Sequence, residues 1–227
     1  MNEIISNDFK TPLGTVQSII KTDLLAPITN PNNFEALTSG HRIILETFEL
    51  DNDWLPNKMN IETSYGWRWF IEKTNSTKEN LFLYCNLKEP VPELNWGIDT
   101  GERLDALYIQ NQNKILHIGT EDTDSHQERA FNGDWMPKRF EERLTMRRPK
   151  KWLQRFYGNY WIWNFVECID FGFKIYIPDL YKGEKIYFHY LIATNTIKRS
   201  EINPDEEDIS TWYAVGQSKY FLDNKLK

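Results

Sequence analysis

Cysteine is scarce: the 227-residue chain has two, Cys85 and Cys168. Both lie in apolar, strand-like runs, LFLYCNL and WNFVECIDF. They read as buried free thiols packing as small hydrophobes, and a disulfide-scaffold fold is excluded. No apolar run approaches ~18 residues, which excludes a membrane-spanning helix. The opening MNEIISNDFKTPLG lacks a basic stretch followed by an apolar one, so no signal peptide is expected and a cytoplasmic location is. Nucleotide and nucleophile signatures are missing too. There is no G-x-G-x-x-G, no G-x-x-x-x-G-K-[ST] and no G-x-S-x-G, so phosphate cradles and a nucleophile elbow have no support. PDLYKGEK superficially resembles the Pro-Asp…Glu-x-Lys pattern of one nuclease superfamily. Glu184 and Lys185 are adjacent, however, and the loop from Asp179 is too short.

What is abundant is aromatic surface, 15% of residues, with nine Trp. Large rings dominate cores and interfaces alike. Hydrophobic residues at 40% and charged residues at 26% are ordinary for a soluble globular chain. A chain of this length can bury roughly 70% of its unfolded surface in one core. Net charge is −6 but unevenly spread. Residues 138–155 hold eight basic and two acidic side chains, a local +6, which leaves −12 on the remainder. Such polarity steers which partners approach and how fast.

No repeat or composition break marks a linker, so one domain is expected. Within TNPNNFEALTSG, Asn30 reads as an N-cap, Pro31 as the first helical residue and Gly40 as a stop, predicting a short helix and a partly helical segment over residues 1–40. Period two follows. Ile44, Glu46, Phe48 and Leu50 share a face, as do Trp67, Trp69 and Ile71; Leu81, Leu83, Cys85 and Leu87 oppose Phe82, Tyr84 and Asn86. RLDALY fits a strand or a helix, and YIQNQNKILHIG predicts a hairpin turning at residues 111–114. YWIWNFVECI alternates Trp161, Trp163 and Phe165 against Ile162, Asn164 and Val166. FKIYIP and EKIYFHYLIAT suggest a hairpin across DLYKG. Ile186, Phe188, Tyr190 and Ile192 share one face of the latter, with Tyr187, His189 and Leu191 opposite. A basic helical insertion is expected near 134–156, with Phe140 and Leu144 four apart and Pro149 as breaker. A C-terminal helix is expected within 201–227, opened by Asn203, Pro204 and acidic residues suited to a helix N-terminus, with Ile209, Trp212, Tyr213, Gly216 and Tyr220 recurring at helical spacing. The expected fold is α+β: a strand-rich core over 41–200 of mostly antiparallel sheet with a few short helices, in a single domain.

HIGTEDTDSH, residues 117–126, concentrates imidazole and carboxylate. His117, Asp122, Asp124 and His126 offer a ligand set for zinc, manganese or iron. Asp, Ser and Thr at this density favour a turn, and no spaced metal motif is present, so an acidic solvated loop is the favoured reading. Arg139, Arg143, Arg147, Arg148, Lys150, Lys151 and Arg155, interleaved with Phe140, Trp152 and Phe156, offer a grip for phosphates with rings for bases. The sequence pI of about 5.4 argues instead for a solvated helix face paired to Glu141 and Glu142. Trp67/Trp69 and Trp161/Trp163 suit a sugar platform or, more simply, a core. Asp51 and Asp53, or Asp99 and Glu102, suit an acid–base pair or plain surface charge.

The resulting expectation is a cytosolic acidic binding protein that neutralises or regulates a basic protein partner, a toxin among the candidates. No cofactor is expected, and catalysis is the less favoured class. Its binding residues would be Glu121, Asp122, Asp124, Asp205, Glu206, Glu207 and Asp208, acting through charge-steered association. In size, charge and lack of catalytic motifs the chain resembles the small acidic immunity proteins with which bacteria neutralise toxins, and no residue role is transferred on that basis. The alternatives are a metal-dependent hydrolase using the 117–126 cluster and a nucleic-acid or phosphate binder using residues 138–155.

Overall fold

The computed structural model describes residues 1–25, 28–49, 59, 61–101, 104–123, 125, 126, 166–177, 180–197 and 209–216. Among them, thirteen strands and one helix are formed. The strands are β1 (Asn2–Thr11), β2 (Gly14–Thr22), β3 (Thr29–Asn32), β4 (Glu35–Leu37), β5 (His41–Glu49), β6 (Thr63–Lys73) and β7 (Leu81–Lys88). Then come β8 (Asn95–Ile98), β9 (Leu104–Gln110), β10 (Lys114–Glu121), β11 (Val166–Ile169), β12 (Gly172–Tyr176) and β13 (Lys185–Thr196), with the helix α1 (Ser210–Gly216) last. They form a five-stranded sheet, β1-β2-β7-β12-β11, and an eight-stranded sheet, β3-β4-β5-β6-β13-β10-β9-β8. Every described pairing between named strands is antiparallel. No helix among the described residues is long and apolar enough to cross a membrane.

The sheets face each other across one apolar layer. Val16, Ile20, Leu83, Cys85, Phe173 and Ile175 enter it from the five-stranded sheet, and Ile43, Leu45, Trp67, Trp69, Ile118, Phe188, Tyr190 and Ile192 from the other. Strand alternation places these residues on one face each, as period two requires. Trp69 Nε1–H donates to Ser18 Oγ at 2.9 Å and Trp67 Nε1–H to Asn7 Oδ1 at 2.8 Å, so each indole satisfies its donor across the layer. Trp67 and Trp69 are therefore core residues and not a sugar platform. Cys85 is fully buried, and burial pushes its thiol well above the usual range; Cys168 is only half-buried and also free.

Three expectations change. Residues 30–40 do not form a helix. Pro31 lies in β3, the terminal strand of its sheet, where a missing N–H is tolerated. Asn32 Oδ1 accepts from the Phe34 N–H at 2.8 Å and turns the chain into β4. More broadly, the described residues of 1–40 form four strands and the turns between them, not a partly helical segment. The expected 173–194 hairpin is absent as well. Its two arms, β12 and β13, sit in different sheets, paired with β7 and β6 respectively. The third change concerns the fold as a whole: the described residues form two antiparallel sheets with one short helix docked on them, where a few helices were expected. Leu50, the basic helix near 134–156 and Trp161, Trp163 and Phe165 lie outside the described residues.

Helix α1 forms where residues 201–227 predicted one, but with a different face inward. Ile209 is exposed, while Ser210, Thr211, Ala214 and Val215 are buried. Small side chains face the sheet because the sheet there is built of small residues, Ala106, Ala193 and Gly119. A Cβ on Gly119 would stand 2.8 Å from Val215 Cβ, so glycine sets how closely the helix approaches.

Candidate functional site

The outer face of the eight-stranded sheet, away from the core layer, carries several buried ionisable side chains, among them Arg68, His117 and His189. His117 emerges there from β10, opposite Ala193 of β13 and Tyr108 of β9. Its Nδ1 lies 2.9 Å from Thr211 Oγ1 on α1, and its Nε2 lies 3.1 Å from Asp99 Oδ2. A carboxylate only accepts, so Nε2–H donates to Asp99 and Nδ1 accepts the Thr211 hydroxyl proton. Burial lowers the His117 pKa below its ordinary 6.5, outweighing the hydrogen bond to the Asp99 carboxylate that raises it. The sequence Thr, His, Asp is that of a nucleophilic relay. Thr211, however, is fully buried, so no substrate reaches its oxygen. The group holds α1 on the sheet, with Trp212 Nε1–H donating to the Asp99 carbonyl at 3.0 Å as a further tie.

The rest of the 117–126 cluster goes elsewhere. Glu121 ends β10 with 2% exposure, 3.8 Å from His126 Nδ1, and His126 packs its ring 4.9 Å from that of Phe188. Asp122 Oδ1 accepts from the Ser125 N–H at 2.8 Å and its carbonyl from the His126 N–H at 3.1 Å, so it caps a helical turn whose Ser125 and His126 are buried, in place of the expected solvated loop. His117 thus serves the helix contact while His126 serves the end of β10. Among the described residues no group of three or more His, Cys, Asp or Glu is placed to hold a metal. Glu121 is too buried to meet a partner by its carboxylate, which corrects its expected role on an acidic surface. Asp124, Asp205, Glu206, Glu207 and Asp208 lie outside the described residues. So do Arg139, Arg143, Arg147, Arg148, Lys150, Lys151 and Arg155, together with Asp51, Asp53 and Glu102.

Further along the outer face, strand register lays side chains out in rows. Glu46, Arg68 and His189 stand opposite one another on β5, β6 and β13. Arg68 is buried, bonded to Glu46 through Nε at 3.0 Å and through Nη2, and lies between the rings of Phe48 and Phe70 at 5.8 and 5.2 Å. A planar guanidinium can stack on both rings and still present its edge to a carboxylate, which an ammonium cannot. Nothing in the local sequence RWF distinguishes this arginine from a surface one. Its burial follows from register.

A second surface of interest is β8, the terminal strand of its sheet among the described residues. Trp96 and Ile98 are 37% and 61% exposed although they stand opposite the core residues Ile109 and Leu107. They continue the apolar layer beyond its covered margin. Trp96 also packs against Phe171, 5.8 Å between ring centres. Carboxylates flank this margin in the chain: Asp105 lies two residues along β9 from Leu107, the register partner of Ile98, and Asp170 precedes Phe171; burial, then Asp105 and Asp170, push the Cys168 thiol above its usual value. The alternation in NWGI was the available signal for this strand, and the hairpin reading of its neighbours overshadowed it. No protein-family model, no curated protein and no solved structure matches the chain.

Proposed function

We propose that the protein is an acidic binding protein of the cytoplasm that neutralises or regulates a basic protein partner, as immunity proteins do for bacterial toxins. The observation that carries this reading is the β8 margin, where Trp96 and Ile98 are exposed, Asp105 lies two residues along β9 from Leu107, the register partner of Ile98, and Asp170 precedes Phe171, on which Trp96 packs. Apolar anchors with a carboxylate rim suit a partner that brings cations around an apolar patch. A terminal strand adds backbone donors and acceptors for an incoming extended segment. The net charge of −6 favours fast encounter with a positive target. The reading is tested by retaining proteins from the source organism's lysate on the tagged chain at low and high salt, alongside Trp96→Ala/Ile98→Ser and Asp105→Asn/Asp170→Asn variants. One basic protein held in near equal amount, lost with the first variant and weakened with the second, is the expected result. A partner retained equally by both variants, or none at all, would remove it.

A further inference from the structure

The outer face of the eight-stranded sheet carries a cavity of about 170 Å³, bounded by Arg42, Ile44, Glu46, Phe70, Glu72 and Lys185. Register explains its layout. Arg42 stands opposite Glu72, and Glu72 opposite Lys185, giving a cation–anion–cation row on three adjacent strands spaced about 4.8 Å apart. Two positions along each strand, Ile44, Phe70 and Tyr187 form an apolar row. Beyond that row Glu46 and Arg68 close the far side. The cavity therefore has an apolar floor and a rim on which the two signs of charge alternate.

This pattern selects among small molecules. An apolar anion would answer the two cations and leave Glu72 desolvated against it; an apolar cation would do the reverse. A zwitterion with an apolar body answers both at once. We propose that the cavity binds a free α-amino acid with an apolar side chain, such as phenylalanine or leucine. Its carboxylate accepts hydrogen bonds from Arg42 and Lys185, its ammonium donates to Glu72, and its side chain lies over Phe70 and Ile44. Arg42 already reaches Glu35 through Nε at 2.7 Å, and a guanidinium has further N–H groups to give. Size agrees, since an apolar cavity of about 150 Å³ holds a benzene ring. The site lies on β5, β6 and β13, with β10 and β9 between it and β8, so it is independent of the proposed partner surface.

The test is a titration of isotope-labelled full-length chain with L-phenylalanine, read by amide chemical shifts, with phenylpropionate and phenethylamine in parallel. The expected result is saturable shifts centred on Ile44, Phe70 and Lys185, with an affinity of about a millimolar, the order a ligand of this size reaches. Each half-ligand is expected to bind at least about fivefold more weakly, for want of one charge-assisted contact. Glu72→Gln keeps the size of a half-buried strand residue; with an otherwise unchanged spectrum it is expected to weaken phenylalanine at least about fivefold and to strengthen phenylpropionate, whose carboxylate Glu72 no longer opposes. Half-ligands binding as well as phenylalanine, shifts centred elsewhere, or no saturation by about 20 mM would each overturn the proposal.

Discussion

His41 Nδ1 stands 2.8 Å from Glu79 Oε2, with both side chains buried. The same Glu79 carboxylate accepts from Thr22 Oγ1 at 2.9 Å, Thr38 Oγ1 at 2.6 Å and the Gly40 N–H at 3.1 Å. Thr22 closes β2 of the five-stranded sheet, while Thr38, Gly40 and His41 lead into β5 of the other. One carboxylate therefore ties the two sheets at this end of the molecule.

Burial alone pushes the Glu79 carboxyl up, but hydrogen bonds from His41, Thr38 and Thr22 outweigh it and hold the group below the ordinary 4.5. A carboxyl lowered in the fold contributes stability that is complete above its unfolded value and is lost as pH falls through the folded one. Stability measured by denaturant titration is expected to drop below pH 4.5, and Glu79→Gln is expected to shrink that drop. Glu79→Ala, which strands buried donors, is expected to cost roughly 3 kcal/mol or more at neutral pH. An acid limb identical in Glu79→Gln would show that the carboxylate does not carry the effect.

For His117 the sign follows from a lowered imidazole pKa. Below its ordinary 6.5 the unfolded chain takes up a proton that the folded imidazole resists, so stability falls as pH drops from 6.5 toward the folded value. Protonation also removes the acceptor that Thr211 needs. Amide protection factors at Ala214 and Val215, with the intrinsic pH dependence of exchange divided out, are expected to fall over that interval, and that fall to vanish in His117→Gln. Protection factors that are flat from pH 7 to 5 would contradict the assigned role.

Ser18→Ala leaves the buried Trp69 N–H without its partner at 2.9 Å, and a loss of about 1–3 kcal/mol in unfolding free energy is expected. Pairing it with Trp69→Phe, which removes the donor as well, gives a double-mutant cycle. A clear coupling energy is expected, because the two side chains act as one unit.

Gly119→Val places a branched side chain where a Cβ already meets Val215 at 2.8 Å. The helix is expected to lift rather than the sheet to bend, with about 1–3 kcal/mol lost and faster exchange confined to α1. Loss spread evenly over β10 and β13 would show that the sheet yields first.

The strands that were legible in the sequence are those with one apolar face and a second face that still alternates. Leu81, Leu83 and Cys85 against Phe82 and Tyr84, and Ile186, Phe188 and Tyr190 against Tyr187 and His189, are such cases, and both fell on the faces read from them. β1 was not legible because NEIISNDFKT mixes polar and apolar residues without a clear period and because a register shift between Glu3 and Ile5 breaks the alternation. Which sheet a strand joins is a non-local choice, so β12 and β13 looked like hairpin partners. The site was legible only in outline. His117 was singled out by its neighbours at 121–126, but its partners are Asp99 and Thr211, 18 and 94 positions away. α1 was found by spacing and misread in orientation, since large residues usually mark the buried face and here the sheet beneath had room only for small ones.

β13 sits between β6 and β10 in the eight-stranded sheet, pairing with both, yet it lies some seventy residues after β10's start in the chain. During synthesis β5–β6 and β9–β10 can each form early as hairpins, but they have no common edge until residues 185–196 arrive. Assembly of this sheet is therefore a late event on the ribosome, and a slow one, because its central contacts close long loops. Until then β6 and β10 each present an open flank, so truncated or stalled chains ending before β13 are the species most exposed to aggregation and to capture by chaperones.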